Sequence, residues 1–233
     1  METIDTIALM LGAAWASGIN LYAAILVLGW LGGSGQIALP PDLAVLSHPL
    51  VMLAAGAMYA IEFFADKVPG IDTGWDALHT FIRIPAGALL AAGAAQGFDV
   101  GPAAELAALL VGGGVAATSH AAKAGTRVMI NTSPEPFSNW GASVAEDASV
   151  VAGLWTALYN PWLFLVLFLL FVLFVAWLLP RLWRALRRVV TAVKRSFSTQ
   201  TPDTTGSEHH SRRRDMLDAL YGPEPDDPAG RPR

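Results

Sequence analysis

Trp162–Leu179 reads WLFLVLFLLFVLFVAWLL. It contains no charge, no proline and no glycine, and it stops at Pro180 and Arg181. As a helix its 18 residues rise about 27 Å, close to the hydrocarbon thickness of a bilayer. Lipid offers no hydrogen bonds to the backbone, so whatever surrounds such a segment must be helical or a closed barrel. The other apolar runs are too long for barrel strands, and the expected class is an all-α membrane protein.

Reading outward gives about six transmembrane helices. Ile7–Leu31 is broken only by small or neutral polar residues and ends at the Gly32–Gly35 loop and Pro40-Pro41. Ser47 and Pro49 form a helix start, a cap followed by proline, and the second span runs to Phe64. The third joins Asp72–Ile84 to an apolar stretch ending at Ala95, with a kink or break expected at Pro85. The fourth runs from Pro102 to Arg127. The fifth, capped by Ser138 or Asn139, reaches Tyr159, and Asn160-Pro161 turns the chain into the sixth. Three spans followed by three would place the halves in opposite orientation, a 3+3 inverted repeat. Ser17-Gly18 and Pro49…Glu62 loosely match Thr118-Ser119 and Pro136…Glu146.

Composition agrees. Of 233 residues, 54% are apolar and 15% charged, against about 25% charged in an average soluble domain. Residues 181–233 hold 11 of the 15 Lys and Arg, leaving four for the first 180. The absence of Cys excludes disulfides, thiolate metal sites and Cys nucleophiles. No basic residue precedes the first apolar run, so it reads as a retained span, not a cleaved leader. Lys67, Lys123, Arg127 and the Arg-rich segment all follow even-numbered spans. That places both termini in the cytoplasm, with Arg83 the exception.

The polytopic domain is therefore residues 1–180. Residues 181–196 form a basic juxtamembrane amphipathic helix, with 6 basic side chains and no acid over 181–195. Such a helix attracts anionic lipids, although any terminal span also needs a basic anchor. Residues 197–233, rich in Ser, Thr, Pro, Asp and Arg, read as a disordered cytoplasmic tail.

The informative residues are the expensive ones. An ionisable side chain in a bilayer costs about 2.5–3.5 kcal/mol by insertion scales. Glu62 and Asp66 lie four apart on the second span. Asp72, Asp76, His79 and Arg83, spaced 4-3-4, share one helix stripe, and His120, Lys123 and Arg127, spaced 3-4, share another. Glu146 and Asp147 lie within the fifth span, and Asn20 near the middle of the first. Two readings follow: ion pairs knitting the spans together, or a polar cavity in the cytoplasmic half that holds a solute or ion. Asp72, Asp76 and His79 also have the residue types of a divalent metal site, though helix surfaces produce such triplets by chance. Ser119 and His120, adjacent on a helix, do not face each other as a nucleophile and base would. No Walker loop, dinucleotide fingerprint or zincin motif occurs.

Four segments carry a resemblance: Gly12–Tyr22 (GAAWASGINLY), Ala65–Ala88 (ADKVPGIDTGWDALHTFIRIPAGA), Ser119–Arg127 (SHAAKAGTR) and Asn131–Asn139 (NTSPEPFSN). They resemble the bacterial membrane family catalogued as domain of unknown function 4126, over roughly residues 5–178. The resemblance implies a multi-pass protein of the bacterial inner membrane and brings neither an activity nor site residues.

The leading expectation is a transporter or channel for a small solute or ion, more a carrier than an enzyme. The rivals are a membrane-embedded enzyme acting on a phosphorylated lipid, with Arg83, Lys123 and Arg127 on the phosphate, and a non-catalytic scaffold recruiting a partner by its tail. Expected partners are the bilayer, anionic lipids at 181–195, the solute or ion and, as one option, a second copy of the chain. Neither nucleic acid nor a cofactor is expected.

Overall fold

The computed structural model describes residues 2–68, 71–96, 101–131 and 136–198, with 215, 216, 219, 220 and 222 of the tail. Its helices are α1 (Thr3–Gly33), a short 3-10 helix (Pro41–Ser47), α2 (Pro49–Ala65), α3 (Ile71–Ala95), α4 (Pro102–Ile130), α5 (Pro136–Tyr159) and α6 (Pro161–Ser198). No strand occurs among the described residues. By contacts the chain falls into two units, Met1–Arg184 and Ala185–Arg233, and the packing below belongs to the first. Most of the tail expected to be disordered lies outside the described residues.

Four helices, α1, α3, α4 and α6 over Pro161–Arg181, are long and apolar enough to cross a membrane. The 3-10 helix and α2, bent by 65°, make a fifth if taken together. α5 is not among them. Its Asn139 and Ser143 are buried, and Glu146 and Asp147 follow on the same helix.

α1 is central. It packs on α2, α3, α4 and α5, while α3 and α4 run along each other. Leu9, Ala13, Ala16, Ile19, Leu28, Leu90, Ala94, Val150 and Leu154 form the main apolar core, and Phe164 of α6 packs with Ala8 and Ala157. Small residues bring three helices together. A Cβ on Gly18 would run into the Ser119 side chain and the Ala116 carbonyl, and one on Gly112 into Ala91. Of the Gly112–Gly114 run only the first packs this closely; Gly114 faces open space.

Polarity is arranged inside out. Arg83 and Arg127 are among the largest fully buried side chains, each 0% exposed, whereas Phe81 is 81% exposed and Leu53 71%. In water that distribution would expose far more apolar surface than a soluble monomer tolerates. In lipid it places each side chain in its favoured medium.

The helices correct several expectations. Of the kink or break expected at Pro85, the break does not occur, and α3 continues through as one helix; a proline removes a single ladder bond and the helix survives it. The discontinuity lies in α1, where Asn20 has φ −146° and ψ 98°. Ser138 and Asn139 are inside α5, which starts at Pro136, and do not cap it. At α2 the cap is His48 and not Ser47: its Nδ1 accepts the Leu50 N–H at 3.2 Å, with Pro49 at the first helical position. Pro180 likewise lies inside α6, which continues through the basic segment to Ser198.

Candidate functional site

The break in α1 has a local cause. Asn side chains compete with the helix for backbone groups, and they cap helices well. Asn20 Oδ1 accepts the Ala23 N–H at 3.0 Å and so starts the second half of α1. Its Nδ2 donates to Asp147 Oδ1 at 2.8 Å. The break frees the Ile19 carbonyl, and Lys123 Nζ donates to it at 3.1 Å. A cation at the carbonyl end of a helical segment is also favoured by the helix dipole.

Around Lys123 the charged stripes converge. Its Nζ lies 3.2 Å from Asp66 Oδ2, 3.3 Å from Glu62 Oε1, 3.4 Å from Glu146 Oε2 and 3.7 Å from Asp76 Oδ1. With the Ile19 carbonyl, five oxygens from four helices surround an ammonium that donates three hydrogen bonds. Arg83 spans Glu62 (2.5 Å) and Asp76 (3.1 Å). Arg127 holds Glu146 in a fork, Nε to Oε1 at 3.0 Å and Nη2 to Oε2 at 2.7 Å, and donates through Nη1 to the Asp66 carbonyl at 3.0 Å. Three cations thus face four carboxylates. Glu62 Oε2, Asp66 Oδ1 and Asp76 Oδ2 accept no hydrogen bond from the described residues, and Arg83 Nε donates none. Glu146, with its side chain 17% exposed, is the most open of the four; the others are 0–4% exposed.

Two histidines flank the network, and their partners fix the proton positions. His79 Nδ1 lies 2.9 Å from the Trp75 carbonyl and must donate to it, so in the neutral ring Nε2 accepts the Tyr22 hydroxyl at 3.1 Å. His120 Nδ1 lies 3.3 Å from Arg83 Nη1, which only donates, so Nδ1 accepts and Nε2–H donates to Thr80 Oγ1 at 2.8 Å.

The remaining residues form two satellites. Asp72 accepts Asn131 Nδ2 at 2.8 and 2.9 Å, and Asn139 Nδ2 donates to Asn131 Oδ1 at 2.7 Å, joining the start of α3 to α4 and α5. Asp147 accepts Asn20 Nδ2 and, at 2.9 Å, the Tyr59 hydroxyl. Burial pushes the Lys67 ammonium, just past α2, below its ordinary range, with the Asp147 and Asp66 carboxylates acting the other way.

The stripe Asp72, Asp76, His79 and Arg83 faces inward as a unit, but its members take different partners. Asp72, Asp76 and His79 do not converge on one point, and among the described residues no three His, Asp or Glu side chains are arranged to hold a metal ion. Sequence reasoning missed Tyr22, Tyr59, Thr80, Asn131 and Asn139. Tyr59 was within reach: Tyr59, Glu62 and Asp66 follow the 3-4 spacing of one helix face. Asn131 and Asn139 gave no periodic signal.

A helical bundle with lipid-compatible flanks and its charges turned inward is the pattern of an integral membrane protein. The chain belongs to the family described as Domain of unknown function (DUF4126), whose model matches residues 7–181. Neither the curated proteins nor the solved structures give a match to this chain.

Proposed function

We propose that this protein moves a small ion or solute across a membrane, using the charge network at the α1 break. The observation that carries this reading is the coincidence of two features at one point. A helix is interrupted in the middle of the bundle, and its freed carbonyl belongs to the same oxygen cage as four carboxylates. Ion pairs serving only to hold helices together have no need of a broken helix, whereas transport proteins build ion sites from the ends of discontinuous helices. The network is closed around Glu62 and Arg83 and opens slightly at Glu146, which supports an occluded arrangement with access from the α5 side.

The same proposal includes six spans, α1–α3 and α4–α6 as oppositely oriented halves, both termini in the cytoplasm of a bacterial cell, and residues 181–195 against anionic lipid. The geometry gives less support to an enzyme acting on a phosphorylated lipid. Arg83, Lys123 and Arg127, the cations a phosphate would require, are each already held by carboxylates.

The test is flux of monovalent cations and protons into liposomes containing the purified chain. Asp76→Asn and Arg83→Gln should reduce it at least tenfold, and Asp42→Asn, at an exposed position of the 3-10 helix, should leave it unchanged. Wild-type flux in both network variants would return the network to a structural role.

A further inference from the structure

Among the described residues, the network leaves more acceptors than donors without a partner. Glu62 Oε2, Asp66 Oδ1, Asp76 Oδ2, Asn139 Oδ1 and Ser143 Oγ are buried and take part in no hydrogen bond, against one donor, Arg83 Nε. Buried polar atoms in native proteins are nearly always satisfied, so what this place takes is a donor. Two of the five atoms are uncharged and lie on α5. Ser149 and Thr156 fold their hydroxyls back on carbonyls of that helix, and Ser143 does not. Asn131 Nδ2 is committed to Asp72, so Asn139 must offer its own Nδ2 to Asn131 Oδ1, and Asn139 Oδ1 is left over. Asn139 and Ser143 are each 1% exposed.

Arg127 gathers these atoms on one side of the network. Its Nη1 donates to the carbonyls of Asp66 and Asn139, at 3.0 and 3.3 Å, and its Nη2 reaches Asp66 Oδ2 at 3.4 Å. Asn139, Ser143 and Glu146, spaced 4-3, share one face of α5. The same guanidinium holds the first and the last of them. Ser143 therefore lies between, on the face turned to Arg127 and Asp66.

We infer that the transported solute is an ammonium-class cation, the ammonium ion or a short primary amine, received by Asp66 Oδ1, Asn139 Oδ1 and Ser143 Oγ beside Arg127. This rests on the transport reading and names its solute. Three acceptors match the three N–H bonds of a primary ammonium head. An anion would meet lone pairs at all three. A hard metal cation gathers about six oxygens, and no three His, Asp or Glu side chains among the described residues are arranged for one. Charge points the same way. Among Lys, Arg, Asp and Glu side chains, three cations face four carboxylates. Lys67 and Asp147, which attract each other, add one of each sign. A monovalent cation offsets the surplus acid. The protein also carries its own example of the chemistry: the Lys123 head is a primary ammonium, and Asp66 and Glu146 already hold it at 3.2 and 3.4 Å. Glu146, the most open of the four carboxylates and on the same face of α5, is where an entering cation first meets the network.

Thermal unfolding of the full chain in detergent, in chloride salts at matched concentration, reads the binding without any flux. Ammonium and methylammonium should raise the unfolding temperature by about 2–4 °C over sodium and potassium. Tetramethylammonium, a cation with no N–H, should not. In Ser143→Ala the concentration giving half the shift should rise about tenfold, the loss of one hydrogen bond to a charged group; in Asp42→Asn it should stay put. Equal shifts from all five salts overturn the inference, and so does an undiminished shift in Ser143→Ala. Should Ser143→Ala not fold, the wild-type comparison of methylammonium with tetramethylammonium decides alone. The two readings also fail separately. A shift specific to N–H cations in a protein that carries no labelled methylammonium into liposomes removes transport and leaves the site. Flux of sodium, potassium or protons without that shift removes the inference and leaves transport.

Discussion

At the scale of single residues, Lys123 has the most to lose. Removing one partner of a buried ion pair leaves uncompensated charge and costs about 3–5 kcal/mol. Lys123→Met strips the only ammonium from the five-oxygen cage, and its thermal unfolding in detergent should fall by that order. Glu146→Gln should cost less, because its carboxylate is partly solvated and Arg127 keeps the Asp66 carbonyl as a second partner. Asp42→Asn should stay within about 0.5 kcal/mol, as surface changes do. A melting series in which Lys123→Met is no worse than Asp42→Asn would show that the cage contributes nothing to the fold. The stripes were legible in the sequence because helical periodicity brings i, i+3, i+4 and i+7 to one face. Which cation meets which acid was not, since Lys123 and Glu62 are 61 residues apart and nothing local pairs them.

At the scale of elements, the contrast between Pro85 and Asn20 is the instructive one. A kink or break was expected at Pro85, yet α3 runs through it as one helix, and the helix that breaks contains no proline at all. In lipid a break persists only where the released carbonyl and N–H find new partners. At Asn20 they do: its own side chain serves Ala23, and Lys123, 104 residues later, serves Ile19. The first partner is readable in sequence and the second is not, which is why the break was not. Asn20→Ala removes the cap and the bond to Asp147 together. It should cost about 1 kcal/mol for the cap alone, and more if the freed Asp147 oxygen stays dry, as a detergent melt will show. The Gly18 contact gives a sharper test. Gly18→Leu would drive α1 away from Ser119 and Ala116, and folded yield should collapse. Gly114→Ala meets no neighbour and should be neutral or stabilising by up to about 1 kcal/mol, the helix preference of Ala over Gly.

At the scale of the whole molecule, the charges that oriented the spans on paper are mostly not on the surface. Arg83, Lys123 and Arg127 are buried, so of the four cations in the first 180 residues only Lys67 remains near a helix end to act as a topological signal. The general class, helices with apolar exteriors, was plain from composition and run length. Orientation depended on residues whose real role is internal. Single-cysteine labelling settles it cleanly, because the chain has no cysteine of its own. Reporters at Ser34 and Asn160 should react from one side of the membrane, and one at Val68 only from the other. Labelling of all three from the same side would overturn the six-span arrangement.

The Lys123–Ile19 bond also imposes a timetable on synthesis. At about 5–20 residues per second, the 104 residues between its two ends take roughly 5–20 s to emerge from the ribosome. Throughout that interval the Ile19 carbonyl lacks the donor it has in the folded chain. α2 and α3 then arrive with Glu62, Asp66 and Asp76 ahead of the Lys123 ammonium that will sit among them. The nascent protein is thus an anionic half-bundle until α4 enters. A chain stopped after α3 should be retained by the insertase or destroyed by membrane proteases, and one stopped after α5 should survive.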